Sequence, residues 1–581
     1  MKLSCQILLA LTLLTGEMVS AATLTVTSTA DSGPRTMRDM LVRAADGDTI
    51  DATRVHGTIR LTSGELFVGK SVIIVGPGPA KLAVDGNTSS RVFHIGPGRV
   101  VGLTGLTITN GVAPYNFGGG IYNDHATLTV RNCVVIGNFA DAGAGIGNDG
   151  YLGSATLTVL YSLIEGNLAS IESDDGGGIY NNGWNGNATV ILVHSTVSDN
   201  TTGFLGGGVF NDGLYGSATV IAVNSIVNGN NAGWSGGGIY NAGWYGIASM
   251  TLKDSTVAGN QAGTGGGGVY NAGYGGTASL AITNCAIIDN RCLYNSLGGG
   301  LCNGLSGGSA LMTLVNSTIS ENSANYGGGI FSGYDYVVPI PGPGDASLQI
   351  LDCTFSDNSA EALNLVNGAG TGTVEIGSTI VNAGAPGSSI SSGSPAVTSL
   401  GYNLSSDDGG GVLTNATDLI NTDPRLGPLQ DNGGPTLTHA LLPGSPAIDQ
   451  GKNFSGALYD QRGPGFVRTF DVPFIPNALG GDGTDIGAFE MRTTCLSPAQ
   501  AVQLLLDLVN AQARRPQPFR ATLDAALASI RRNNLIAAIN QLQAFENQVR
   551  AQVLPSNPSL ATTLLEAAQN IINTLNAQRY H

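Results

Sequence analysis

One six-residue phrase recurs through the middle of this chain and restricts the folds open to it. Gly118-Gly119-Gly120-Ile121-Tyr122-Asn123 returns, with small changes, at 176–181, 206–211, 236–241 and 266–271. Looser copies begin at Gly143, Gly298 and Gly327, and successive starts lie 25, 33, 30, 30, 30, 32 and 29 residues apart. A second phrase runs between them: a small residue, a β-branched or apolar pair, then Gly or Asp before Asn, as in Ser195-Thr196-Val197-Ser198-Asp199-Asn200. A period of this length means stacked units, none of which buries its apolar face alone.

Most units hold three strand-length pieces, for example 237–240, 248–252 and 255–257. That pattern predicts an all-β fold, a right-handed parallel β-helix; the alternative, a β-propeller, needs about 40 or more residues and four strands per blade. The fourth position of the Gly phrase is aliphatic throughout (Ile121, Ile146, Ile179, Val209, Ile239, Val269, Leu301, Ile330) and is expected inside. The next column, Tyr122, Gly147, Tyr180, Phe210, Tyr240, Tyr270, Cys302 and Phe331, is expected by alternation to face outward or into a shallow groove. The Asn column of the second phrase, from Asn138 through Asn200, Asn230 and Asn260 to Asn358, invites a ladder of stacked amides. The Gly triplets permit a tight corner or a close backbone approach, and because they lead into strands they are not phosphate-cradling loops.

Composition narrows the partners. Charged residues make up 11% of the chain and the formal charge is −16, which argues against a nucleic-acid partner. Residues 1–21 read as a secretory signal: Lys2, an apolar run from Ile7 to Leu14, and Val19-Ser20-Ala21 before a cleavage point. That apolar run is too short to span a membrane, and no later stretch is apolar enough to cross as a helix. Residues 22–110 read as an N-terminal cap with the first coils, a short amphipathic helix over 36–45 covering the open end, and 111–400 as the repeat body. The repeat fades into Pro/Gly loops over 401–492, expected to cap the C-terminal end. A small helical module follows over 496–578, opened by a capping box at Ser497-Pro498-Ala499-Gln500. Its seven Arg against four acids make it mildly basic, a possible docking piece. Cys133, Cys285 and Cys353 share a slot that Ser fills in other copies and read as buried small hydrophobes; Cys292 and Cys302 either pair across one loop or stay as thiols.

The Gly-Gly-Gly-Ile-Tyr-Asn boxes, with Phe355-Ser356-Asp357-Asn358, resemble the pectin-lyase-like β-helix repeats of secreted bacterial proteins and of polymorphic outer-membrane proteins. The motifs at 431–435, 444–449, 460–463 and 485–490 resemble the "choice-of-anchor Q" region. These resemblances imply secretion and surface association and carry no assigned reaction. The helical tail stands where autotransporters of this kind carry a barrel of alternating strands.

Parallel β-helices also include polysaccharide lyases and hydrolases, so chemistry has to be weighed. Asp174-Asp175 has no Arg, Lys or His beside it, and His56, His94, His125, His194 and His439 are scattered without metal spacing. No catalytic residue is nominated. The acidic and basic residues of the cap read as an Arg–Asp network, or, at Asp482 and Asp485, as hard oxygen ligands for calcium. The turn after each Gly phrase places Tyr151, Trp184, Tyr215, Trp244 and Tyr274 at nearly matching positions. Either they stack to tidy the corner, or they form an outward aromatic face for sugar rings. The function expected is a secreted or surface-associated, non-catalytic, adhesin-like or glycan-binding β-helix. The alternatives are a lyase or hydrolase of acidic polysaccharide, and a structural matrix or spacer protein.

Overall fold

Stacking of the repeat produces a parallel β-solenoid. The structure is a computed structural model that describes residues 21–170, 175–294, 296–334, 344–362, 365–367, 372–383, 389–393, 397–472, 475–492, 497–513 and 515–579. The signal segment before Ala21, Asp174 and Cys495 lie outside the described residues.

Each full coil feeds four sheets rather than the three expected. A 14-stranded sheet of long strands runs from Thr23–Thr25 to Val397–Gly401. A 13-stranded sheet carries the second phrase and a 12-stranded sheet the Gly boxes. Between these last two, a lateral sheet of nine short strands, such as Thr201–Thr202, follows the Asn corner. Pairing in the four sheets is parallel and keeps the columns in register, with Ile179 opposite Val209 and Val209 opposite Ile239. The aliphatic column is fully buried in one core that runs along the solenoid.

The Gly triplet serves two needs at once. Gly236 sits at φ +67°, and a Cβ on Gly237 or Gly238 would lie 2.4 or 2.6 Å from carbonyl oxygens of the next coil. The Asn ladder forms as expected: Asn200 Nδ2 donates to Asn230 Oδ1 at 2.9 Å and to the Ile164 carbonyl at 3.0 Å. The same Asn230 Oδ1 accepts the Asn200 backbone N–H, and the pattern repeats from Asn138 to Asn358. The Asn of the Gly phrase builds a second ladder, from Asn123 through Asn211 and Asn241 to Asn303. In the Ser slot, Ser195 and Ser225 accept N–H bonds from the preceding coil, while Cys133, Cys285 and Cys353 donate their thiols to nearby carbonyls. All five described cysteines are buried thiols, so Cys292 and Cys302 do not pair.

The Tyr column points away from the main core, as alternation requires, yet it is not a free surface. Tyr180, Phe210, Tyr240, Tyr270 and Phe331 are at most 8% exposed. They form a second apolar cluster beneath Phe117, Phe204, Leu205 and Leu297, which come from the excursions on the lateral-sheet side. Where the column lacks a ring, at Gly147, Phe117 fills the place; a Cβ on Gly147 would lie 2.9 Å from the Phe117 Cβ.

The long-strand sheet keeps an open outer face. Its strands of up to seven residues alternate buried and half-buried positions. One outward column runs Thr127, Thr156, Thr189, Thr219, Ser249, Ser279 in consecutive coils.

Helix α1 (Met37–Arg43) closes the N-terminal end by burying Met37, Met40 and Leu41, with Thr36 as its N-cap. Leu413 and Val412 close the other end. The loops beyond them, read from the sequence as a cap on this end, also run back along the second-phrase sheet. Thr436 and Gln461 bond the backbone at Asn284 and Cys285, Asn316 and Thr318 bond Tyr459 and Gln461, Ala488 bonds Thr354, and Lys452 bonds Ser378. Four helices follow: α2 (Pro498–Gln512), α3 (Gln517–Arg531), α4 (Leu535–Gln552) and α5 (Pro558–Arg579). The capping box at Ser497 and Gln500 forms. The helices are not set apart from the loops: one apolar cluster runs from Ile448, Ile486 and Phe489 into Val502, Leu505 and Leu542.

Candidate functional site

The turns that lead into the long-strand sheet have the form Gly–X–Y–Gly, with Y in the left-handed region. Leu152, Asn185, Tyr215 and Tyr245 all hold φ between 51° and 55°. This frame separates the five aromatics read from the sequence. Tyr151, Trp184, Trp244 and Tyr274 occupy position X, whereas Tyr215 sits one residue later at Y, beside Tyr245 of the next coil.

Two pairs of rings are open to solvent. Tyr151 and Trp184 are 39% and 41% exposed with centroids 5.2 Å apart; Tyr215 and Tyr245 are 57% and 49% exposed and stack at 5.4 Å and 14°. The remaining two belong to the inner aromatic cluster. Tyr274 is 4% exposed, and Trp244 packs on Phe210, Tyr240 and Tyr274. Tyr245 lies one residue past Trp244, and its role emerges only with the turn register.

The opposite corner of the long strands also uses left-handed residues. Most coils place Asn or Asp there (Asn132, Asn224, Asp254, Asn284, Asn316, Asp352); Ser378 and Tyr402 stand there in the last coils, and Tyr161 and His194 in two neighbouring ones. Their rings stack at 5.1 Å and 8°.

The histidines are less solitary than their spacing implied. On the N-terminal coils, Glu65 accepts from Arg91 at 2.7 Å and pairs with His94 at 2.9 Å, and His94 lies 3.5 Å from Asp124. His125 Nδ1 meets Asp124, and its Nε2 meets the Tyr151 carbonyl at 2.6 Å. Two acceptors require protons on both ring nitrogens. Burial opposes that charge, but the Tyr151 carbonyl and Asp124 outweigh it and hold the His125 pKa above its usual value. Asp124, His125 and Asp149 bring three ligand-type atoms within 4.8 Å of one another, the one such group among the described residues. Each is already engaged, since Asp149 accepts from Tyr122, Asn182 and the Tyr151 N–H. The arrangement fastens the Tyr151 turn to the coil before it. Asp175, which the sequence left as a loop acid, accepts the Leu205 N–H.

The cap residues form a network of buried charge. Arg462 pairs with Asp460 at 2.6 Å with both side chains at most 1% exposed, and its guanidinium lies 3.7 Å from the Phe489 centroid. Arg468 and Asp352 are wholly buried 3.3 Å apart. Asp482 and Asp485 turn their carboxylates to different backbone N–H groups, those of Asn453 and Thr484 for the first and of Asp449 and Met491 for the second. Burial, then the charge of Asp485, pushes the Asp449 pKa up to about 9. Burial likewise pushes Asp485 up to about 7.

A groove of about 500 Å³ between the cap and the second-phrase sheet is lined by Asp357, Asp423, Arg425 and His439. His439 is held there by the Gly427 carbonyl and the Ser320 hydroxyl. No helix among the described residues is long and apolar enough to cross a membrane. Comparison with family models, curated proteins and solved structures returned no match.

Proposed function

We propose that this chain is a secreted or surface-associated, non-catalytic glycan-binding protein whose contact residues are Tyr151, Trp184, Tyr215 and Tyr245. The observation that carries the reading is the pair of exposed ring pairs on neighbouring turns of one rigid solenoid. Rings held half in water by a fixed backbone present apolar faces to sugar rings at little entropic cost. Tyr215 and Tyr245 hold them in a backbone region that bulky residues avoid, a strain of about 1–3 kcal/mol each, and such strain gathers at functional positions. Trp244 and Tyr274 belong to the scaffold beneath. The leader-like segment and the choice-of-anchor resemblance support an extracellular setting, and calcium at Asp482 and Asp485 stays outside this reading because both carboxylates hold backbone groups.

The test is a glycan array read with the intact protein, Trp184→Ala/Tyr215→Ala and Trp244→Ala. The double variant is expected to lose binding with its melting unchanged, while Trp244→Ala lowers melting first. Binding that survives the double variant would overturn the reading, as would new reducing ends or unsaturated products from any bound polysaccharide.

A further inference from the structure

The four strands Ser154–Leu160, Asn187–Val193, Ser217–Val223 and Ile247–Lys253 lie between the two corners where bulky residues replace Asn, Asp or Gly. Leu152, Tyr215 and Tyr245 depart at one corner and Tyr161 and His194 at the other, all with φ near +50°. His125 and Tyr402 show the same backbone elsewhere, but among the described residues only here do bulky left-handed residues flank consecutive strands of the sheet at both ends, which points to the patch.

Its chemistry is unusual for this protein. The outward positions of these strands hold no acid, although the chain carries 41 acidic residues, and Lys253 at the margin is their one base. The column Thr156, Thr189, Thr219, Ser249 supplies one hydroxyl per coil, about 4.8 Å apart by strand spacing. The row runs on into the next coil, where Ser279 donates to Ser249 at 3.2 Å. Beside it Ile191 and Ile221 supply methyl groups in the same register.

We infer that this face is the floor of the glycan site and that its ligand is a neutral polysaccharide. The inference rests on the glycan reading above and adds the class of ligand. A polyanion finds no row of bases here and a polycation no acids, whereas an uncharged chain offers hydroxyls to the Thr row and C–H faces to the isoleucines and rings. The floor is flat because consecutive coils keep register without a bulge, and a flat floor suits an extended chain. An added charge on it would be desolvated without a partner when such a chain lies down.

Affinity electrophoresis through gels holding hydroxyethyl cellulose, a mannan or polygalacturonate tests this with the intact protein. Retardation is expected in a neutral polymer, absent in polygalacturonate and insensitive to about 0.5 M salt. Thr189→Asp/Thr219→Asp is expected to weaken it about tenfold or more, and Thr189→Val/Thr219→Val, which keeps strand propensity and shape, by a few-fold. Retardation by polygalacturonate alone overturns the inference. So does full retardation of both floor variants while Trp184→Ala abolishes it, an outcome that leaves the aromatic reading standing. No retardation of the native protein in any gel overturns both.

Discussion

The solenoid body and the C-terminal cap meet the same difficulty, polar groups sealed away from water, by opposite means. In the body one neutral side chain is repeated. Each ladder Asn donates to the next Asn and to a backbone carbonyl, and accepts a backbone N–H, so its amide is used up within its own stack. In the cap nothing repeats. Asp460 gathers Arg462 and the Glu490 N–H, and Glu490 gathers the N–H groups of Phe470 and Asp485. Neither region is complete: in the body the first amide of the second ladder leaves Asn123 Oδ1, and in the cap the Arg468 guanidinium leaves Nε and Nη1, without hydrogen-bond partners among the described residues. Repetition satisfies buried polarity with one solution used many times, whereas a unique network concentrates risk in a few charges.

The contrast can be broken most sharply at Arg462. Arg462→Ala leaves Asp460 buried and unpaired, at a cost of about 3–5 kcal/mol. Hydrogen exchange is expected to rise across 449–491 and leave the central coils protected. A smaller loss is expected from Asn230→Ala, about 2–3 kcal/mol, because it orphans the Asn200 amide and the Val197 carbonyl. That damage should appear in coils 200–260 and match Asn200→Ala or Asn260→Ala in size; unequal values would show that the ladder is not uniform.

Next comes pH. Asp449 and Asp485 keep protons in the fold up to about 9 and about 7, while an unfolded Asp releases its proton near 4. The folded cap thus binds more protons between these limits, and its stability falls as pH rises. It is fully present below about pH 4 and erodes through pH 7 to 9. Thermal scans with a cap-directed probe at pH 7 and 9 should separate the two regions, since Asp212 in the central coils, pushed up by burial to about 6, has released its proton below this window. The smallest effect is expected at Cys285→Ser, within about 1 kcal/mol, because Ser fills that slot in neighbouring coils. A large drop in melting there would mean that the thiol packs in a way the hydroxyl cannot.

The same contrast governs what could be read in advance. A column seen eight times carries its own alignment, so the inward Ile column, the Asn ladder and the Gly corner were legible from residue spacing. The lateral sheet was not, because strands of two residues such as Thr201–Thr202 fall below any periodicity. Its excursions bring Phe204 and Leu205 over the Tyr column, and alternation alone cannot foresee a lid. Tyr215 and Tyr245 were separated from the Trp244 set only by the left-handed turn position. In the cap, Thr318 meets Gln461 across 143 residues and Cys285 meets it across 176; such contacts occur once and leave no pattern. His94 and His125 likewise looked solitary because their partners, Glu65 and Tyr151, lie one coil away.

The cap's course along the second-phrase sheet has a consequence for how such a chain changes in length. Its contacts at Asn284, Asn316, Thr354 and Ser378 touch four consecutive coils at fixed heights, as a key touches pins. A whole coil gained or lost among these four would put every later pin out of step. A coil gained or lost near 200–260 moves cap and pins together and leaves the lock intact. The repeat number is thus free in the half that carries the exposed rings and fixed in the half that carries the cap, so the ring-bearing face can lengthen while its closure stays the same.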